Sequence, residues 1–206
     1  YLCENKIALK SVILAGDEME IDCAKITILS PSPEQVKKML EQTIQIDGNT
    51  IYPYDSTRKK ETAGSNTDFH LSIDEVLTNE FDEDRDVANC SSIAFIFEYK
   101  DFRILFLGDS APSQIVNALN TRGYSETNKL KLSICKLSHH GSNHNTSDQL
   151  LELIDCNNYI ISSDWNGERP GKQCLSRVVV NIKGNKIFYC NYPHKSVFSE
   201  TELAQY

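Results

Sequence analysis

The fold of this chain is decided at residues 92–110, which read SIAFIFEYKDFRILFLGDS. Two runs rich in β-branched and aromatic residues are separated there by a Lys-Asp pair alone. Runs of this composition joined by a tight turn are typical of a β-hairpin. The second run, 102–107, is apolar at nearly every position, which predicts a central strand covered on both faces of a sheet. The polar sequence Gly-Asp-Ser follows at 108–110, where that strand ends.

Strands and helices alternate on both sides of this hairpin. Before it, the patterns predict strands at 18–21 and 25–29 and a helix at 34–42, which Ser32 and Pro33 are suited to start. After it, they predict helices at 112–119, 147–154 and 172–182, and strands at 131–137, 159–163 and 186–190. The alternation indicates an α/β fold in which sheets and helices form layers, an arrangement that α+β proteins also show.

Length and composition fit one domain of a cytoplasmic protein. The chain has 206 residues, of which 40% are hydrophobic and 24% charged, so it can bury a core and is not disordered throughout. No apolar run approaches the length of a membrane span, and we expect no membrane contact by this chain. Seven cysteines lie far apart without a Cys-x-x-Cys motif, which favours free thiols over a disulfide framework or a zinc finger.

Acidic residues dominate the charge. The net charge of −8 argues against a surface that binds nucleic acid non-specifically, but it does not exclude one local cleft that binds phosphate. Periodic patterns are missing from about residue 47 to 87, and 79–86 holds five carboxylates against one arginine. A stretch of this length and composition predicts a flexible, solvated acidic insertion.

Two polar loops follow predicted strands and are candidates for chemistry. Asp109 ends an apolar strand, where a carboxylate needs a cation, a metal or several donors. Capping of the next helix by Asp109 or Ser110 is an equally open interpretation. The second loop holds His139, His140 and His144, three of the chain's five histidines. Neutral imidazole is a common metal ligand, so this cluster predicts a metal or catalytic site more readily than a structural role.

These motifs together resemble a known family. The order Asn89, Gly-Asp at 108–109, His-His-Gly-Ser at 139–142 and the strand at 160–162 is similar to the second half of a metallo-β-lactamase-fold hydrolase. The nearest branch is the one that includes the DNA-uptake protein ComEC and its soluble relatives. The resemblance covers about 18–45 and 88–190. It implies a four-layer αββα sandwich, of which 1–206 would be the C-terminal portion, with a metal site at the strand ends.

The resemblance also assigns roles to residues. It implies one or two Zn²⁺ ions, or Mn²⁺, held by Asp109, His139 and His140, without deciding which histidine faces the metal. Catalytic roles fall to Asp109, His140 and Lys136, although Lys136 also fits an ordinary lysine at a strand edge. The residues expected to face the substrate are Asn89, Ser142, Asn143, His144 and Arg169. Arg169 stands where relatives often have a histidine, and a guanidinium cannot bind a metal; a surface arginine is the alternative.

The implied function is a metal-dependent phosphodiesterase or nuclease that acts on DNA or nucleotides, with metal-activated water as the nucleophile. The histidine-rich signature of the family's first half is absent from these 206 residues. We therefore expect the N-terminal half of the same fold, on the same polypeptide or a separate chain, to provide the missing ligands. A larger assembly that contains both halves is a further expectation. Two alternatives stay open: a catalytically silent scaffold with a regulatory or assembly role, and a hydrolase of another ester or a lactone.

Overall fold

The computed structural model describes residues 12–42, 44–46, 49–51, 68–165, 169–193 and 196–206. Its strands are β1 (Glu18–Ile21), β2 (Ala24–Ser30), β3 (Ile44–Ile46), β4 (Asn49–Ile51), β5 (Ala94–Tyr99), β6 (Phe102–Phe106), β7 (Leu130–Lys131), β8 (Ile134–Lys136), β9 (Ile154–Asp155), β10 (Asn158–Ile161) and β11 (Ile187–Cys190). Its α-helices are α1 (Pro33–Glu41), α2 (Ile73–Leu77), α3 (Val87–Cys90), α4 (Pro112–Thr121), α5 (Asp148–Glu152), α6 (Lys172–Asn181) and α7 (Glu200–Gln205). Two short 3-10 turns cover Asp68–His70 and Ser138–Gly141.

The centre of the molecule is a mixed seven-stranded sheet with the order β1-β2-β5-β6-β8-β10-β11. Strands β1, β2, β5 and β6 are antiparallel, whereas β6, β8, β10 and β11 run parallel to one another. The predicted hairpin is present, with Phe95 opposite Phe106. The α/β class is thus confirmed. Because β6, β8 and β10 are parallel neighbours, the loops that follow them emerge at the same edge of the sheet.

One predicted strand is divided in the structure. Residues 130–131 form β7 and pair with β9 in a separate two-stranded sheet, so only 134–136 of the predicted 131–137 strand joins the main sheet. Ser133 marks the break, since its hydroxyl accepts a hydrogen bond from Arg103 N at 3.1 Å. Helix starts follow local chemistry as predicted: the Ser32 hydroxyl accepts from Gln35 N, and Pro33 and Pro112 occupy first turns.

The buried core lies on one face of this sheet. Leu105, Cys135 and Tyr159 point to that face and are at most 1% exposed. They pack in one cluster with side chains of α4, α5 and α6, the helices that connect the parallel strands, among them Ile115 and Val178. Burial of this apolar surface contributes most of the stability of the fold.

The opposite sheet face is apolar, and none of its side chains joins that core cluster. Phe95 and Phe106 stack on it with ring centroids 4.9 Å apart, and Tyr99, Phe102 and Tyr189 are between 43% and 50% exposed. Since no helix of the described core cluster covers it, we call this the uncovered sheet face. Ile28, opposite Phe95, lies on it as well and is buried. Its other side chains include Met19, Ile21, Ile26, Phe95, Phe97, Tyr99, Phe102, Ile104, Phe106, Ile134, Lys136, Ile160, Ile187 and Tyr189. Strand β6, predicted to be covered on both faces, is therefore covered on one face only by the described residues.

The part of the predicted acidic insertion that the structure describes is 49–51 and 68–87. It contains β4, a 3-10 turn, α2 and the first residue of α3. Helix α2 begins with a reciprocal capping box between Ser72 and Glu75. Among the described helices, none combines the length and apolar composition required to cross a membrane.

A buried ion pair fastens the last helix to the domain. One carboxylate oxygen of Glu202 in α7 accepts hydrogen bonds from Lys172 Nζ and Ile73 N, both at 2.9 Å. The Lys172 side chain is only 2% exposed, and its ammonium also lies 5.6 Å from the centre of the Phe198 ring. Glu202 therefore joins α7 to the first residues of α2 and α6.

We predict that Glu202→Gln reduces stability at neutral pH and weakens its dependence on acid. Burial opposes ionisation of Glu202, but hydrogen bonds from Lys172, Ser199 and Ile73 outweigh it and lower the pKa to about 2. Because this folded-state pKa lies below the ordinary value of 4.5, the stabilisation is present above that value and is lost as the pH falls toward 2. We expect a loss of about 1–3 kcal/mol at pH 7, where the buried ammonium loses its partner.

Urea unfolding between pH 3 and pH 7 measures this effect. Glu200→Gln, a change in the same helix, is the matched control and should leave both the stability and its acid dependence unchanged. Equal acid dependence in Glu202→Gln and the unmodified chain would contradict the assignment.

Candidate functional site

The two predicted loops meet at the edge where the parallel strands end. His139 N, after β8, donates a hydrogen bond to Gly108 O, after β6, at 2.9 Å. The Ser138 hydroxyl donates to Ser110 O at 2.9 Å, and both side chains are buried. The structure thus brings the backbone of the Gly-Asp loop into contact with the histidine pair, although nearly thirty residues separate them.

Both histidines adopt left-handed backbone conformations. The φ angles are 44° for His139, 59° for His140 and 83° for Gly141. For a non-glycine residue this region costs about 1–2 kcal/mol, and such residues cluster at functional sites. A Cβ at Gly141 would lie 2.8 Å from Cβ of Pro170, so this position requires glycine on two grounds.

His139 is held through Nδ1 by two acceptors. Its Nδ1 lies 3.1 Å from Asp84 Oδ2 and 3.2 Å from Asn145 Oδ1. Because both neighbours accept hydrogen bonds, Nδ1 carries the proton. Nε2 makes no hydrogen bond with any residue in the described ranges, and the side chain is 12% exposed. Nε2 of His139 is therefore the ring nitrogen that is open to a ligand.

His140 shows the same arrangement with a different acceptor. Its Nδ1 donates to Ser162 O, the carbonyl that follows β10. Its ring centre lies 6.1 Å from that of His139, with the two ring planes at 58°. A histidine that binds a metal usually donates its second ring N–H to a carboxylate or a backbone carbonyl. Both imidazoles fit this pattern, because His139 donates to a carboxylate and His140 donates to a backbone carbonyl.

Asp84, which the sequence interpretation missed, is the central acceptor of the site. Its Oδ2 accepts from Asn89 Nδ2 at 2.8 Å and from Asn145 Nδ2 at 3.3 Å, and its Oδ1 accepts from Asp86 N at 2.9 Å. Burial favours the protonated form, but these bonds and that of His139 outweigh it and hold the pKa of Asp84 well below its usual value. Asp84 is therefore ionised, in a segment whose composition indicated solvent exposure.

The sequence holds a signal that the acidic segment is ordered near Asn89, although not for Asp84 itself. Asp86 is the N-cap of α3, and its side chain accepts from Asn89 N at 2.9 Å. An aspartate three residues before Asn89 is typical of a helix start. This pattern predicts that the end of the acidic segment lies beside Asn89, which is a predicted site residue.

Asp109 and Lys136 lie near each other without forming an ion pair. The Asp109 carboxylate forms neither a hydrogen bond nor an ion pair with a described residue. Helix α4 has Ala111 as its N-cap with no side-chain cap, and the Ser110 hydroxyl donates to Leu107 O. The alternative in which Asp109 or Ser110 caps this helix is thus wrong. Burial lowers the pKa of Lys136, and the negative charge of Asp109 opposes that shift.

The predicted substrate-facing residues make contacts within the protein. Asn89 donates to Asp84, and the Ser142 hydroxyl accepts from His144 N at 3.2 Å. His144 is exposed, and its Nδ1 lies 2.7 Å from Asp82 O. Arg169 is half-buried, and its carbonyl accepts from the Ser163 hydroxyl at 2.7 Å. These contacts explain how the loop is held, and they leave the substrate roles as predictions.

Asn143 connects the histidine loop to the start of α6. Its Oδ1 accepts from Cys174 N at 2.9 Å, and its Nδ2 donates to Asp68 at 3.1 Å. The Asp68 carboxylate also accepts from the amides of Lys172 and Gln173. The first-turn amides of α6 are therefore satisfied by side chains from other elements.

The described residues, Asp109, His139 and His140 included, do not form a complete metal site by themselves. Nowhere in the described ranges do three His, Cys, Asp or Glu side chains gather as a group able to hold a metal ion. The donor chemistry of His139 and His140 fits a metal, but further ligands are required to complete the coordination.

Comparison of this chain with models of protein families, with curated proteins and with solved structures found no match. The family resemblance therefore rests on the sequence motifs and stays a prediction.

We predict that Gly171→Ala disturbs the junction between the histidine loop and α6. A Cβ at Gly171 would lie 2.0 Å from Asn143 Oδ1, so Asn143 must move and release Cys174 N. We expect a loss of about 1–3 kcal/mol in the free energy of unfolding. Urea unfolding of Gly171→Ala, Asn143→Ala and the double variant tests the cause, because the added methyl group should cost little once Asn143 is truncated. Additive costs would contradict this explanation.

Proposed function

We propose that this chain is part of a metal-dependent hydrolase of phosphodiester bonds, with DNA or nucleotides as the substrate class. One observation carries the proposal: two adjacent imidazoles each donate Nδ1–H to an acceptor inside the protein, which is the arrangement in which Nε2 is the ligand atom. They sit beside the loop of Asp109, at the carboxyl ends of parallel strands, where ligands of α/β proteins commonly bind.

The residues that would hold the metal are Asp109, His139 and His140, with Zn²⁺ or Mn²⁺ as the ion. When bound, such an ion lowers the pKa of a water molecule to near neutrality and withdraws charge from the phosphoryl group. Asp84 and Ser162 O hold the two imidazoles in the required tautomer. The half-buried ammonium of Lys136 adds positive charge near Asp109, which favours an anionic substrate.

The choice of a phosphodiester is supported by the ComEC-like motifs and by Lys136. Because the net charge is −8, we expect a polyanion to be attracted only to the region around Lys136 and not to the surface as a whole. A hydrolase of another ester or of a lactone would use the same groups, and a panel of substrates separates the two. The same motifs favour half of a metallo-β-lactamase αββα sandwich as the specific fold.

The uncovered sheet face supports a second layer in the intact protein. A sandwich buries the apolar faces of two sheets against each other, and this face offers a broad apolar surface with Lys136 near its site end. We propose that the N-terminal half of the same fold, on the same polypeptide or a separate one, packs there and contributes the remaining ligands.

A catalytically silent scaffold is the second candidate. It is favoured by the lack of a group of three metal-binding side chains among the described residues, and by Arg169 in place of a histidine. A regulatory or assembly role would then use the fold alone. Metal content of the intact protein separates the two candidates.

We predict that Asp109→Asn abolishes metal-dependent phosphodiester cleavage in the intact protein, including the partner half. Loss of a ligand carboxylate should reduce the hydrolysis of bis-p-nitrophenyl phosphate and of labelled DNA, with Mn²⁺ or Zn²⁺, by at least about 100-fold. Asp101→Asn, in the hairpin turn, is the matched control and should retain full activity. An intact protein that holds less than one metal ion and cleaves no substrate would establish the silent scaffold instead.

We also predict that the chain alone self-associates through the uncovered sheet face. Sedimentation velocity should show concentration-dependent oligomers, and the pair Phe102→Lys and Tyr189→Lys should shift them toward monomer. Val180→Lys is the control, because Val180 is 46% exposed on α6, a helix that packs on the other face. A monodisperse monomer at all concentrations would contradict the assignment.

A further inference from the structure

We infer that Asp84 is a positioning residue for His139: its carboxylate fixes the proton on Nδ1 and thereby keeps Nε2 open as a ligand atom. The identity of that ligand as a metal rests on the proposed function. The tautomer itself does not, and it is measured separately below.

The geometry gives this pair little freedom. His139 Nδ1 and Asp84 Oδ2 are 3.1 Å apart, and both side chains are 12% exposed. Three other donors, Asn89 Nδ2, Asn145 Nδ2 and Asp86 N, fix the orientation of the carboxylate. A carboxylate anchored at four points cannot rotate away from the imidazole without losing several hydrogen bonds.

Asn145 reinforces the same tautomer. Its side chain is fully buried, and its Nδ2 lies 3.3 Å from Asp84 Oδ2, Asp109 O and Ser110 O. Since all three of these atoms accept hydrogen bonds, the amide nitrogen must face them and Oδ1 must face His139. The imidazole therefore has two acceptors at Nδ1 and, among the described residues, none at Nε2.

The hydrogen-bond partners of Asp84 include no cationic side chain among the described residues. Within the described ranges, no lysine or arginine forms an ion pair with Asp84; its partners are amides and the His139 ring. A carboxylate that accepts Nδ1–H fixes the orientation of the imidazole and directs Nε2 toward a ligand. Positive charge at Nε2 would in turn compensate the carboxylate.

This arrangement distinguishes the two histidines that the sequence could not separate. His140 donates to a backbone carbonyl, Ser162 O, whereas His139 donates to a side-chain carboxylate that three further donors hold in place. His139 also bonds through its amide to Gly108 O, next to Asp109. We assign His139 as the more strongly binding imidazole of the pair.

The first experiment records the imidazole spectrum of the intact, metal-free protein labelled with ¹⁵N-histidine, with assignment by the loss of signals in His139→Gln. The expected result is an Nδ1–H tautomer for His139 with a far-downfield proton that is protected from exchange. In Asp84→Asn this proton should move upfield and exchange faster. Asp82→Asn, in the same acidic segment but with a side chain 74% exposed, should leave it unchanged. An Nε2–H tautomer in the unmodified protein, or an unchanged spectrum in Asp84→Asn, would overturn the inference.

The second experiment measures Zn²⁺ affinity of the same proteins by competition with a chelating dye. Asp84→Asn should weaken binding about 10- to 100-fold, with Asp82→Asn close to the unmodified protein. Equal affinities with intact folding would reduce Asp84 to a structural role. If the unmodified protein binds no metal, the proposed function fails, whereas the imidazole spectrum still decides whether Asp84 sets the tautomer of His139.

Discussion

The backbone hydrogen bond from His139 N to Gly108 O holds together the two loops on which the candidate site depends. It exists because β6 and β8 are parallel neighbours whose carboxyl ends reach one sheet edge. The left-handed conformations of both histidines need support of this kind, since each costs about 1–2 kcal/mol in a non-glycine residue. A second bond, from Gly171 N to Gly141 O, closes the loop on its other side. The strain is thus held by the sheet and by α6 together.

Much of the fold and part of the site are predictable from the sequence because they depend on local patterns. The hairpin at 92–110, the helix starts at Pro33 and Pro112, and the polar loops after apolar strands all follow from residues close in the chain. Asp84 does not, because it lies 55 residues from His139 and only the folded chain brings them together. Its neighbours are acidic, and composition alone indicates a solvated segment.

The apolar pattern of a strand predicts burial, but it does not identify the element that covers each face. The apolar character of β6 indicates two covered faces, and the described helices cover one of them. In the same way, the polar residues Ser142 and Asn143 predict a functional loop, but their partners are backbone groups of that loop and of α6 and the carboxylate of Asp68. The residue type shows that a buried polar group needs a hydrogen-bond partner, whereas the fold determines which atom is that partner.

The balance of charge at the site favours a cation. Asp84 is ionised, and within the described residues it has no lysine or arginine partner; the Asp109 carboxylate lacks a hydrogen bond there as well. Lys136 is the nearby positive group, yet burial lowers its pKa and it forms no ion pair with Asp109. Poorly solvated carboxylates are costly unless a positive charge compensates them. Under the proposed function, a metal ion supplies that positive charge, whereas in a silent scaffold the hydrogen bonds to Asp84 and the solvent around Asp109 would have to balance these carboxylates.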